Sequence, residues 1–119
     1  MTKAPDPSEA PHSGYRPCVG AVILNADGHV WIGRRTRKAE GITDAFPWQM
    51  PQGGIDRGED TAEAARREVH EETGMHSLKL IAEAPAWYAY DLPAAVLKYG
   101  LWKGRYKGQT QKWYAFRFI

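Results

Sequence analysis

Apolar positions first become regular at Arg16, where RPCVGAVIL forms a β-rich run, followed by the turn chemistry of Asn25-Ala26-Asp27-Gly28 and then by HVWIGRR. That order predicts a hairpin in the core sheet. Residues 36–47 are polar and close on Phe46-Pro47, which reads as a loop because proline holds its predecessor extended. Trp48-Gln49-Met50 reads as a short strand and Pro51-Gln52-Gly53-Gly54 as a forced turn. Asp60 or Thr61 can cap a helix running to about Thr73, with Gly74 placed to end it. Beyond it LKLIAEA and AWYAY look like strands, LPAAVLKYG like a short helix or a loop, and KWYAFRFI like a closing strand. In that strand Tyr114, Phe116 and Phe118 share one face, read as core, and Trp113, Ala115 and Arg117 share the other. The first 14 residues hold three prolines and almost no large apolar side chains, so they are read as a disordered tail ahead of one domain over 15–119.

Composition narrows the class. At 119 residues, 43% hydrophobic and 25% charged, the chain suits one soluble globular domain and is too short for two. One cysteine, Cys18, excludes an internal disulfide, and no Cys or His pair has zinc spacing. Cys18 in an apolar strand reads as a buried small residue. No apolar run reaches the length of a membrane span, and prolines stand where a signal peptide needs its apolar core, so a reducing, cytoplasmic setting without membrane is expected. The chain stops on the apolar pair Phe118-Ile119, an ending that suggests a fragment.

The net charge of +2 says little, but its distribution says more. Residues 54–74 hold seven of the 14 acidic side chains, whereas residues 98–119 hold six basic ones and no acid, which suggests an acidic site with a basic rim. On a helix Glu68, Glu71 and Glu72 span about 100° of arc, so three carboxylates project from one face. Such a face suits a hard divalent cation that takes oxygen ligands. The plainer reading is a solvated helix laced by the i, i+4 pairs Glu63 with Arg67 and Arg67 with Glu71. Gly53-Gly54 before it lets backbone approach a metal or phosphate closely, and a plain turn would also use two glycines.

A plain turn does not explain the whole spacing: Gly53, five residues, Glu59, seven residues, then Arg67-Glu68-Val69-His70-Glu71-Glu72-Thr73-Gly74-Met75. The stretch GGIDRGEDTAEAARREVHEETGM, residues 53–75, resembles the Nudix box, G-x5-E-x7-R-E-U-x-E-E-x-G-U with U apolar, at every fixed position. The resemblance implies an α/β fold, a Nudix-type α/β/α sandwich with a mixed sheet. It also implies hydrolysis of a nucleoside diphosphate linked to another moiety, with Mg²⁺ or Mn²⁺ as cofactor. Carried over residue by residue, Glu68 and Glu72 are metal ligands, Glu71 joins them or acts as base, and the Gly53 carbonyl is a further ligand. Arg67 and Glu59 form a structural ion pair, and Gly74 belongs to the motif's frame.

The flanks Tyr15-Arg16-Pro17-Cys18-Val19-Gly20, Arg34-Arg35, Trp48 through Gly54 and Gln109 through Tyr114 look like the subgroup of bacterial RNA pyrophosphohydrolases and dinucleoside polyphosphate hydrolases. By that analogy Arg16, Arg35, Gln52 and Lys112 contact substrate phosphates. The implied reaction is removal of pyrophosphate from a 5′-triphosphate RNA end. Its alternatives are cleavage of a dinucleoside polyphosphate such as diadenosine tetraphosphate, or a silent nucleotide- or RNA-binding module. Members of this subgroup commonly continue past the position of Ile119 with another acidic ligand and a helix covering the sheet. No Asp or Glu follows Asp91 here, so the resemblance implies a domain short of that C-terminal helix and ligand. Apart from the family, the last 22 residues interleave their cations with Tyr99, Trp102, Tyr106, Trp113, Tyr114, Phe116 and Phe118, a composition suited to nucleotides and equally to a strand core beside a solvated loop.

Overall fold

The computed structural model of the protein describes residues 13–34, 47–94 and 105–119. Most of the tail, all of the loop assigned to 36–47 except Pro47, most of LPAAVLKYG, and Arg35 lie outside the described residues.

Strands β1 (Tyr15–Leu24), β4 (Gln52–Gly54), β5 (Leu78–Glu83), β6 (Tyr88–Asp91) and β7 (Gly108–Phe118) form one mixed sheet, while β2 (Gly33–Arg34) and β3 (Trp48–Gln49) form a separate two-stranded ribbon. The long strands β1 and β7 run parallel from Tyr15↔Gly108 to Leu24↔Arg117. On the outer edge of β1, β4 pairs antiparallel, with Val19 opposite Gly53. On the outer edge of β7, β6 takes the first half and β5 the second, both antiparallel.

Helix α1 (Thr61–Thr73) begins and ends where its local chemistry dictates. Asp60 accepts the Glu63 N–H at 3.1 Å, and Gly74 closes the helix in the left-handed region at φ 80°. Its buried face, Thr61, Ala64, Ala65 and Val69, packs on Val19, Ala21 and Ile23 of β1 and on Tyr114 and Phe116 of β7. Alternation along the strands sends these side chains to the helix side. Arg66 closes one flank by donating to Leu78 O at 2.8 Å, its guanidinium 5.1 Å from the Phe116 ring centre. No helix among the described residues is long and apolar enough to cross a membrane.

Three expectations need correction. The arm after the Asn25–Gly28 turn returns through one bridge, Leu24↔Val30, and then leaves the core sheet, so Gly33 and Arg34 pair with β3 instead. Pro51 through Gly54 do not make a tight turn. Gln52–Gly54 are extended and hydrogen-bonded to β1, because that edge of β1 needs partners. Phe118 is 44% exposed, since its register partner is Leu78 at the open start of β5, whereas Tyr114 and Phe116 are buried. Cys18 is buried, and Trp31 packs against the core cluster.

Gly20 explains how the sheet face turned away from α1 accepts an indole. A Cβ on Gly20 would lie 2.5 Å from the Trp113 ring, so the ring covers this strand only because the side chain is absent. Gly20→Ala is therefore expected to destabilise the fold by about 2 kcal/mol, read as a lowered midpoint in urea unfolding at unchanged slope.

Candidate active site

The arrangement starts at Arg67, on the turn of α1 that faces the loop 55–60. Its guanidinium donates from Nε to Glu59 Oε2 at 2.9 Å and from Nη2 to Glu59 Oε1 at 3.0 Å, a two-pronged pairing that matches a planar carboxylate. Nη2 also donates to Gly54 O at 3.0 Å, which ties helix, loop and β4 together. Glu59 in turn accepts the Asp56 N–H at 3.0 Å. The Arg67 bonds, chiefly, hold the Glu59 carboxyl below its ordinary range and push the guanidinium further up.

From the same hub, Nη1 reaches Glu68 Oε1 at 2.9 Å and Glu71 Oε1 at 3.3 Å. Glu68 is folded inward against β4: a Cβ on Gly53 would sit 2.2 Å from its carboxylate carbon. Burial raises its pKa, an effect that Arg67 opposes. Glu72 lies one turn on from Glu68, and its Oε2 accepts the Gln52 backbone N–H at 3.1 Å. Partial burial and then the charge of Glu68 push the Glu72 carboxyl up to about 7.

This donor set fits a hard divalent cation. Glu72 and Glu68 lie along β4 at Gln52 and Gly53, Arg67 links Glu71 to them as counter-charge, Glu68 and Glu72 protonate more readily than usual, and the glycine backbone admits Glu68 closely. Among the described residues no three acidic, histidine or cysteine side chains already converge on one point, because Arg67 engages Glu68 and Glu71. A cation would share those oxygens with Arg67 or take them over.

The other sequence-derived candidates separate. Arg16 lies on the opposite face of β4, its Nη2 2.1 Å from the place of a Cβ on Gly54, and its charge is felt by Glu68. Gln52 joins the carboxylates through its backbone and points its side chain across β1 to Gln111. Lys112 does not present its ammonium with these groups: it is buried, donates to Ala84 O and pairs with Glu83 at 3.3 Å. Arg35 falls outside the described residues. Sequence reasoning passed over Gln109 and Gln111 as individual groups, although their i, i+2 spacing with Trp113 puts all three on one face.

The NUDIX domain profile matches residues 14–118. The chain is 58% identical over 106 residues to the RNA pyrophosphohydrolase of Rhizobium meliloti (strain 1021), covering 87% of this chain and 63% of that protein. It is 54% identical over 117 residues to the RNA pyrophosphohydrolase of Brucella abortus (strain 2308), covering 95% and 62%. It thus spans somewhat over three-fifths of the length of these curated relatives. Among solved structures it resembles the E. coli dihydroneopterin triphosphate pyrophosphohydrolase (TM-score 0.65, 23% identity, covering 87% of this chain and 70% of that one). The C. elegans Ap4A hydrolase is a further likeness (TM-score 0.53, 22% identity, 87% and 68%). At such identities these structures show a shared fold. With a family profile spanning nearly the whole chain and relatives above half identity, the chain belongs to the Nudix family.

Proposed function

We propose that this chain carries the catalytic site of a divalent-cation-dependent pyrophosphohydrolase that removes pyrophosphate from 5′-triphosphate RNA ends, with Mg²⁺ or Mn²⁺ as the cation and the cytoplasm as its setting. What carries the reading is the set Glu68 and Glu72 along β4, with Glu71 joined to Glu68 through Arg67, in a chain 58% identical to an RNA pyrophosphohydrolase.

When bound, the cation neutralises polyphosphate oxygens and acidifies water. The protein's own groups do the rest. Glu68, Glu72 and Glu71 supply oxygen donors, and Gly53 lets the strand backbone stand beside them. Arg67, anchored on Glu59 and Gly54 O, fixes the helix face relative to β4. Before a cation binds, the Glu72 carboxyl sits near 7, so taking up the cation at neutral pH releases a proton from it. Arg16, on the other side of the β4 edge, adds a positive charge for a polyphosphate that spans that edge.

The test is release of phosphate and pyrophosphate from 5′-triphosphorylated RNA and from diadenosine tetraphosphate at equal concentration, with Mg²⁺, with Mn²⁺ and with chelator. Cation-dependent pyrophosphate release from the RNA in clear excess is the expected result. A strong preference for the dinucleotide would move the assignment to the dinucleoside polyphosphate hydrolases. Release from neither, with nucleotide still bound, would leave a binding module.

A further inference from the structure

The sheet face turned away from α1 carries a row of side chains of which the proposed hydrolysis uses only Arg16. Strand register puts Arg16, Gln52, Gln109, Gln111, Trp113 and Tyr90 on this face, spread over β4, β1, β7 and β6. Four hydrogen bonds join the three amides, the indole and the Tyr90 phenol. The Trp113 indole Nε1 donates to Gln111 Oε1 at 3.1 Å. Gln111 Nε2 donates to Gln52 Oε1 at 2.8 Å and to Gln109 Oε1 at 3.1 Å. Tyr90 OH donates to Gln109 Oε1 at 2.5 Å.

The polarity of this row follows from one group. An indole N–H can only donate, so the Gln111 atom facing it must be oxygen and the other end must be the NH₂. Both hydrogens of that NH₂ are used, so Gln52 and Gln109 must each turn oxygen toward Gln111 and NH₂ away from it. Neither outward NH₂ has a hydrogen-bond partner among the described residues. Gln111 is 7% exposed, so water cannot easily reset the chain of amides from its middle. With the Arg16 guanidinium on the same face, the outward-turned amides and arginine are N–H donors.

We propose that this face is a subsite for a carbonyl-bearing base edge of the nucleotide, and that Gln111 with Trp113 sets its donor polarity. The inference rests on the pyrophosphohydrolase reading for its choice of ligand. Position supports it: the Gln52 backbone holds Glu72 while its side chain opens this face, so a substrate whose phosphates meet the carboxylates has its remainder within reach of the amides. Tyr88 and Tyr90, 51% and 44% exposed, offer ring surface beside them. Gln111 acts here through Gln52 and Gln109 and is a positioning residue.

The experiment uses inosine triphosphate and adenosine triphosphate, which differ at position 6 by a carbonyl against an amino group, and inorganic tripolyphosphate, which has no base. Binding is measured calorimetrically in chelator, so that turnover is not required. The unmodified protein should bind the inosine nucleotide about fivefold more tightly than the adenosine one. Gln111→Glu keeps the shape and still accepts from Trp113, but it cannot donate, so both neighbouring amides must turn oxygen outward and the ratio should reverse. Trp113→Phe removes the group that fixes the polarity without adding charge, and the ratio should collapse toward one. Equal weakening of all three ligands by Trp113→Phe would overturn the base subsite, because the amides would then meet phosphate oxygens alone. An unchanged ratio and unchanged tripolyphosphate binding in both variants would overturn the subsite. Because the readout is binding, a protein that discriminates these nucleotides yet hydrolyses nothing would sink the activity alone, and one that hydrolyses but ignores both substitutions would sink the subsite alone.

Discussion

Replacing Glu72 with glutamine is expected to lower hydrolysis at least about a hundredfold and to flatten the pH dependence of cation binding. Glu72 accepts the Gln52 N–H and stands beside Glu68, so its carboxyl titrates at about 7 in the metal-free protein. Below that value a cation must displace a proton, and its apparent affinity should fall by up to about tenfold for each unit of pH. From about pH 6 to about pH 8 the wild-type chain should therefore bind Mn²⁺ progressively more tightly, with proton release on binding. Glu72→Gln should bind more weakly at every pH, with a shallower slope. The sign is opposite for the metal-free fold. Folding raises this pKa from 4.5, so its contribution to stability is fully present below about 4.5 and is lost as pH rises through about 7. Calorimetric Mn²⁺ titration and urea unfolding at several pH values check both signs; a slope unchanged by the substitution would show that another group titrates.

What could be read in advance follows the range of the interaction that decides it. The helix was legible from end to end because Asp60 and Gly74 act on neighbours three or four residues away. The Nudix spacing was legible for a similar reason, as Glu59 and Arg67 meet between a loop and the helix that follows it directly. The strand Gln52–Gly54 was not legible, since two glycines and a proline signal a turn locally and only the distant edge of β1 holds them extended. Lys112 shows the same limit. Its charge suggests a phosphate contact, but a register irregularity between Leu80 and Ala82 carries Glu83 and Ala84 to its ammonium from another strand. The amide row on the far face needs Gly20, Gln52, Gln111 and Trp113 to be neighbours across three strands, and nothing in the local pattern announces that β1 and β7 run parallel in that register.

Arg67→Gln should lower stability by about 2 to 3 kcal/mol, because it strips charge and hydrogen bonds from a glutamate pair that stays mostly out of water. The Glu59 and Glu68 side chains are 19% and 14% exposed, and Arg67 is the cation bonded to both. Its loss also frees Gly54 O, so loop, helix and β4 would separate as well as repel. Acidification should narrow the difference between the two proteins. In the wild type Arg67 holds the Glu59 pKa down, so that carboxylate contributes stability above its ordinary value and the contribution is lost as pH falls through the lowered one. The variant never has this contribution to lose. Arg67→Lys restores the charge without the two-pronged geometry and should recover less than half of the deficit. Urea midpoints of the three proteins at neutral and acid pH make the comparison. A deficit that stayed constant with pH, or that lysine fully repaired, would mean that Arg67 acts as a diffuse positive charge, and the arrangement of Glu68 and Glu72 against β4 would then have to be held by packing of α1 alone.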